Sequence, residues 1–338
     1  MELYPLKFFP IYKKKIWGGN RLKKFLNKDI NEGNIGESWE VSTYKDDINI
    51  ISNGQYKNTK LTTLIKKYPE EVMGEKFKNI NEFPLLLKFI DANKNLSVQV
   101  HPDEKSAQVI QNSDSKYEMW YILDAKKDAK LYLGLKNIEN KKDLKQIINE
   151  GNLKDHLNKV NVKKGDFFYI PGGTVHAIGK GLMLVEIQQS SDTTYRLFDW
   201  DRLGSNGKPR DLHLEDGISA TNLSWNNMNQ KVKYIKKTKD FVQEVLHISK
   251  FFIIEKIDIK KTFPINKDNF VLLTCIQSKG KIIYNNKSVS IKKGESIMIP
   301  AKLDNIEITG DLEILSMYIA NNLIEYKNSL SNNGFTKL

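Results

Sequence analysis

Residues 167–200 read FFYIPGGTVHAIGKGLMLVEIQQSSDTTYRLFDW. The pattern is a β-rich run, a tight turn, a second β-rich run and a polar hook. Pro171-Gly172-Gly173 interrupts the first run where only a glycine-supported turn fits. The turn hands the chain to a second strand that begins near His176. Counting back to Gly165 gives glycine, five residues, proline, one residue, glycine, two residues, histidine. That arrangement hangs an imidazole at the start of a strand, just past a sharp reversal.

The spacing matches the second motif of the cupins, in which the histidine is a metal ligand inside a small β-barrel. Two upstream segments supply further ligand-type side chains. In LSVQVHPDEKSA (96–107), Ser97, Gln99 and His101 point to one face, because side chains at i and i+2 of a strand do so; Pro102 then ends the strand. In KYEMWYIL (116–123), Lys116, Glu118 and Trp120 share a face. If both faces line one barrel with His176, then Gln99, His101, Glu118 and His176 converge as four N/O donors. Such a set suits Zn²⁺, although Mn²⁺ and Fe²⁺ accept the same donors. Taken singly, each residue has a plainer reading as a hydrogen-bonded core or surface side chain. Glu118 is the exception, since a carboxylate in so apolar a strand needs a compensating charge.

At 338 residues the chain is long enough for two domains, and a 40% hydrophobic fraction fits real cores. The single cysteine, Cys275, excludes an internal disulfide framework and points to a reducing compartment. No secretory signal is read at the N-terminus, and no apolar run approaches the ~20 residues that span a bilayer. A cytoplasmic location is expected. The net charge of +12 comes from lysines scattered along the chain, without a basic helix or aromatic stacking motif, so no nucleic-acid or membrane partner is expected. Only four arginines occur, and Arg196, Arg202 and Arg210 fall close together. Where lysine serves for surface charge, that cluster suggests a need for planar guanidinium.

Short helices are expected at 60–73, 103–112 and 141–151, the last ended by Gly151, and a polar linker at 225–240. An internal repeat also appears: VKKGDFFYIPGGTVH (162–176) aligns without a gap to IKKGESIMIPAKLDN (291–305). In the second copy Ala301 and Lys302 replace the two glycines, and Asn305 stands at the position of His176. The expected fold is mainly β: two cupin (jelly-roll) barrels with a few short helices. A metal-binding catalytic domain would occupy 1–232 and a metal-free one 233–338.

Together LLLKFIDANKNLSVQVHPDEKSA, KYEMWYIL, GDFFYIPGGTVHAIG and VEIQQSSDTTYRLFDW, with WGG (17–19) and GESWEVS (36–42), resemble type I mannose-6-phosphate isomerase in its short bacterial form. The resemblance is strong over residues 5–215. It implies a zinc enzyme, one ion per chain, that interconverts mannose 6-phosphate and fructose 6-phosphate through an enediolate. It makes Gln99, His101, Glu118 and His176 the zinc ligands. Arg196 matches the active-site arginine and Lys116 a substrate-facing lysine. Ser97, Lys88 and Arg202 match phosphate contacts, with Arg202 standing where some members have lysine. Glu186 and Asp192 match acidic residues near the reacting carbons, and Glu186 is the first choice as general base. A cupin oxygenase would want histidine at Gln99, and a non-catalytic sugar-binding cupin need not keep both metal and Arg196. The partner is then a sugar phosphate, and the chain a monomer or homodimer.

Overall fold

The computed structural model describes residues 2–31, 33–204, 206–224 and 234–338. The chain is mainly β and divides into two compact units, Tyr12–Trp39 with Leu85–Asn229, and Met1–Ile11 with Glu40–Pro84 and Gln230–Leu338. The packing therefore departs from a single cut at 232/233. The N-terminal strand Leu6–Phe9 pairs with Ser296–Ile299, and the aromatic rings of Phe77 and Phe83 pack on Phe270. The stretch 225–233, where the linker was expected to begin, lies outside the described residues. The remainder of that stretch holds the strand Tyr234–Lys237.

In the first unit two sheets face each other. One has six strands and includes Leu85–Ala92, Glu118–Ala125, Phe167–Ile170 and Leu182–Gln189; the other has five and includes Val98–Val100, Lys130–Leu135, His176–Ile178 and Tyr195–Phe198. Ile90, Trp120, Ile122 and Leu184 from the first pack against Leu131, Leu133 and Ile178 from the second. Each fully buried aliphatic side chain of this kind contributes about 1.5–3 kcal/mol of transfer free energy. Among the described residues the expected closed barrels are not seen: the hydrogen-bonded strand orders are open. Face-to-face packing of two sheets buries the apolar faces without joining the edge strands.

The helix expected at 60–73 is two helices, Leu61–Lys67 and Pro69–Met73. Tyr68 separates them with φ −140°, because a residue before proline is pushed out of the helical region. Glu104–Val109 is closed by a capping box from Asp103 and Ser106. Asn140 caps Lys141–Asn149 by accepting from the amides of Lys142 and Asp143. Among the described residues no helix is long and apolar enough to cross a membrane.

The sequence repeat is also a structural one. Gly165 and Gly294 both take positive φ, at 90° and 84°. Their amides donate to Ile122 and Cys275 of the neighbouring strands. Asp166 and Glu295 accept from the backbone amides of Lys163 and Lys292 in the same turn. Ile170 pairs with Glu118, and Ile299 pairs with Val271. The second copy thus places Val271 where the first has Glu118, and Asn305 where it has His176.

Candidate active site

The polar site grows from one end of the sandwich core. Along the six-stranded sheet, Trp120, Glu186 and Lys88 are successive cross-strand neighbours, and two residues further on the same strands carry Ile122, Leu184 and Ile90. Since the side-chain period of a strand is two, one face passes from apolar to charged within a single step. On the facing sheet His176 pairs with Gln99, and Gln99 pairs with Arg196. Directly opposed antiparallel residues share a face with Cβ atoms about 4.5–5.5 Å apart, so these three form one row.

His101, Glu118 and His176 are all buried, and one ligand atom from each lies within 4.8 Å of the others. Nε2 of His101 is 3.3 Å from Oε1 of Glu118, and Nε2 of His176 is 3.8 Å from Oε2. His101 Nδ1 lies 2.7 Å from the Thr193 carbonyl and His176 Nδ1 lies 2.9 Å from the Thr174 carbonyl. A carbonyl can only accept, so both rings carry their proton on Nδ1 and turn the Nε2 lone pair into the site. Gln99 Nε2 sits 3.5 Å and 3.4 Å from those two nitrogens. A half-turn of its amide presents the carbonyl oxygen instead, and Ser97, now donating to Gln99 Oε1 at 3.2 Å, can accept in that orientation.

The donors fit a cation. Among the described residues Glu118 Oε2 is buried without a hydrogen-bond partner, which is costly unless something positive meets it. Burial works against the Glu118 charge, but Lys116 at 3.1 Å opposes that effect, and the carboxyl stays well below the usual range. Burial drives His176 down to about 3 and also lowers His101, with Lys116 adding to the effect on His101. Both rings are therefore neutral, as ligands must be.

The histidine-bearing turn is tied to the strand that ends at His101. The Gly173 amide donates to the His101 carbonyl at 2.7 Å, and Gly173 has φ 85°. A Cβ on Gly172 would fall 2.6 Å from the Cα of Asp103 and 2.7 Å from the Pro102 carbonyl. Both glycines are thus required by close approach and backbone conformation.

Beside the donors lies a cleft of about 280 Å³. Of the residues expected there, Lys88, Ser97, Lys116, Glu186, Asp192 and Arg196 all line it. Lys88 Nζ is 3.2 Å from Glu186 Oε1 and donates to Gln188 at 2.8 Å; Trp120 Nε1 donates to Glu186 Oε2 at 2.8 Å. Burial opposes the Lys88 charge, yet Glu186, Glu37 and Asp192 around it raise its pKa. Burial, with the nearby charge of Glu118, raises that of Glu186 despite Lys88. Burial acts against the Asp192 charge too, but Lys88 and Lys116 bring its pKa below the ordinary value.

Arg202 departs from expectation. It does not line the cleft; its Nε and Nη2 donate to Asp199 at 3.0 and 2.7 Å, and Nη1 donates to the Asn95 carbonyl. Three charged lining residues were not given a role from sequence: Lys15, Glu37 and Arg210. Glu37 lies in the GESWEVS segment, whose strand Ile35–Val41 is buried throughout. A carboxylate in such a strand was the available signal.

Residues 6–129 match the family model described as phosphomannose isomerase type I, catalytic domain, and 242–319 match the mannose-6-phosphate isomerase cupin domain. The chain is 36% identical to the mannose-6-phosphate isomerase of Streptococcus mutans, covering 90% of this chain and 95% of that one. It is 34% identical to mannose-6-phosphate isomerase ManA of Bacillus subtilis, covering 94% and 100%. The crystal structure of a mannose 6-phosphate isomerase from Bacillus subtilis superposes with a TM-score of 0.87 at 32% identity, covering 93% of this chain and 99% of that one.

Proposed function

This chain belongs to the type I mannose-6-phosphate isomerase family, and on that premise we propose that it is a zinc-dependent enzyme interconverting mannose 6-phosphate and fructose 6-phosphate through an enediolate. Gln99, His101, Glu118 and His176 would hold the ion. Bound there, Zn²⁺ supplies Lewis acidity toward the sugar's carbonyl and hydroxyl oxygens. The orphaned Oε2 of Glu118, facing two imidazoles with fixed tautomers, carries this reading.

The chain's own residues then divide the remaining work. Glu186 would take the proton from C2 and return it to C1; burial raises its pKa, in the direction that favours a base, and Lys88 and Trp120 fix its orientation. Arg196 stands one strand from Gln99, with a buried Nε that has no partner among the described residues, and so would meet the oxygen on which charge develops. Lys116 and Asp192 line the same cleft and would flank the reacting carbons. We read the two units as cupin-type jelly rolls, the C-terminal one without ligands at Val271 and Asn305. The single, buried Cys275 accords with a cytoplasmic location.

Turnover in deuterated water tests the mechanism. Proton abstraction by a side chain that exchanges with solvent places deuterium at C1 of fructose 6-phosphate. Complete retention of the C2 hydrogen, together with undiminished turnover in Glu186→Gln, would instead mean a hydride shift and would remove Glu186 from its role.

A further inference from the structure

We propose that Arg210 is the residue that grips the substrate's phosphate, with Asp199 and Arg202 as positioning residues behind it. This rests on the isomerase reading and specifies how its site sorts phosphorylated sugars.

Charge matching in the cleft carries the argument. Each lysine that lines it lies within ion-pair distance of a carboxylate: Lys15 with Glu37 at 3.2 Å, Lys88 with Glu186 at 3.2 Å, and Lys116 with Glu118 at 3.1 Å. The surplus of positive charge is at the arginine end. Arg196 makes no ion pair among the described residues; its Nη1 donates to the backbone carbonyl of Asp211 at 2.6 Å. Arg196 and Arg210 both line the cleft, close enough for their charges to act on each other. Burial lowers the Arg196 pKa, and the charge of Arg210 lowers it further.

Asp199 is shared. Arg210 donates from Nε and Nη2 to its two oxygens at 2.7 and 2.6 Å, while Arg202 donates to Oδ1 from the other side. One buried carboxylate therefore serves two guanidiniums and leaves a net positive charge facing the cleft. Arg202 is further fastened to the Asn95 carbonyl, so it acts as the anchor and Arg210 as the presented group. The two-point hold on Asp199 fixes the plane of Arg210 and leaves Nη1 for a phosphate oxygen. Trp200 and Asp201 both adopt positive φ, at 59° and 53°, immediately after Asp199. Such strain in two non-glycine residues persists only where the surroundings hold it in place. Along the five-stranded sheet the order is His176, Gln99, Arg196, with Arg210 beside Arg196, which puts the phosphate end away from the ligand set.

The test is steady-state kinetics of the metal-loaded enzyme with mannose 6-phosphate, and with inorganic phosphate as competitive inhibitor. Arg210→Gln should raise KM about 10–100-fold with little change in kcat, and weaken phosphate inhibition in parallel. Arg202→Gln should raise KM less, through slackened positioning. Arg210→Lys, which keeps the charge and protects the fold, should raise KM about three- to tenfold. Unchanged KM and phosphate inhibition in either Arg210 variant, or a larger loss in Arg202→Gln than in Arg210→Gln, overturns the assignment. If the wild type shows no turnover of mannose 6-phosphate, the isomerase reading is what has failed. Equilibrium binding of inorganic phosphate then decides the subsite: weaker binding by Arg210→Gln supports it, and equal binding overturns it.

Discussion

Glu118 Oε2 and His176 Nε2 face each other 3.8 Å apart, and the buried carboxylate oxygen has no hydrogen-bond partner among the described residues. A pair at that distance is too long for a hydrogen bond and wide enough for an ion with bonds of about 2.0–2.2 Å on each side. Stripping the protein with a chelator should therefore abolish turnover, and Zn²⁺ should restore it. Glu118→Gln keeps the shape but removes the charge, and should weaken metal affinity at least about 100-fold, read by competition with a chromophoric chelator. Full activity in a preparation shown by elemental analysis to be metal-free would refute the site.

Arg196→Lys keeps one positive charge and loses the planar fork. With Arg196 one strand from Gln99, the loss should fall on kcat, about 10²–10³-fold, with KM changed little. Arg210 variants should behave the opposite way. Similar small effects at Arg196 on both parameters would mean that it supplies only bulk charge.

The convergence of these side chains was legible because strand periodicity is local: Gln99 with His101, and Glu118 with Lys116, need only the two-residue repeat of a strand. The turn before His176 was legible because Gly172 and Gly173 leave few conformations open. The arginine cluster was visible too, but the division of labour within it was not. Whether Arg202 or Arg210 turns to the cleft depends on Asp199 and on the Asn95 carbonyl, more than a hundred residues away from Arg202. The domain boundary was hidden for the same reason. Nothing in LKFF or in 61–73 announces that these segments pack with strands near 270 and 296, since pairing partners are chosen by long-range burial.

Asp199 ties acid stability to this corner of the fold. Burial raises its pKa, but hydrogen bonds and charges from Arg210 and Arg202 outweigh that and leave it below the ordinary aspartate value of 3.8. A carboxyl depressed in the folded state contributes stability above its unfolded pKa, and loses it as pH falls through the folded one. Asp199→Asn should accordingly cost roughly 1–3 kcal/mol near neutral pH. The gap to wild type should stay constant down to about pH 4 and narrow below it. Denaturant melts of both proteins across that range would show it, and a gap that widens on acidification would contradict the depressed pKa.

The repeat makes a last prediction about stoichiometry. Both copies share the glycine turn, the acidic acceptor after it and the isoleucine pair across the neighbouring strand, so their backbones offer equivalent positions for ligands. What differs is the side chains: Val271 stands where Glu118 supplies a carboxylate, and Asn305 where His176 supplies an imidazole. A valine has no donor at all, and one restored histidine gives a single bond where a structural or catalytic zinc needs three or four protein ligands. Metal analysis of the wild type should find one tightly held ion per chain, and Asn305→His should leave that count unchanged. Asn305→His combined with Val271→Glu would bring back two donors facing each other, and should add weak binding that dialysis removes. A second tightly bound ion in the wild type, or in Asn305→His alone, would mean that the C-terminal copy keeps a ligand set which this register does not contain.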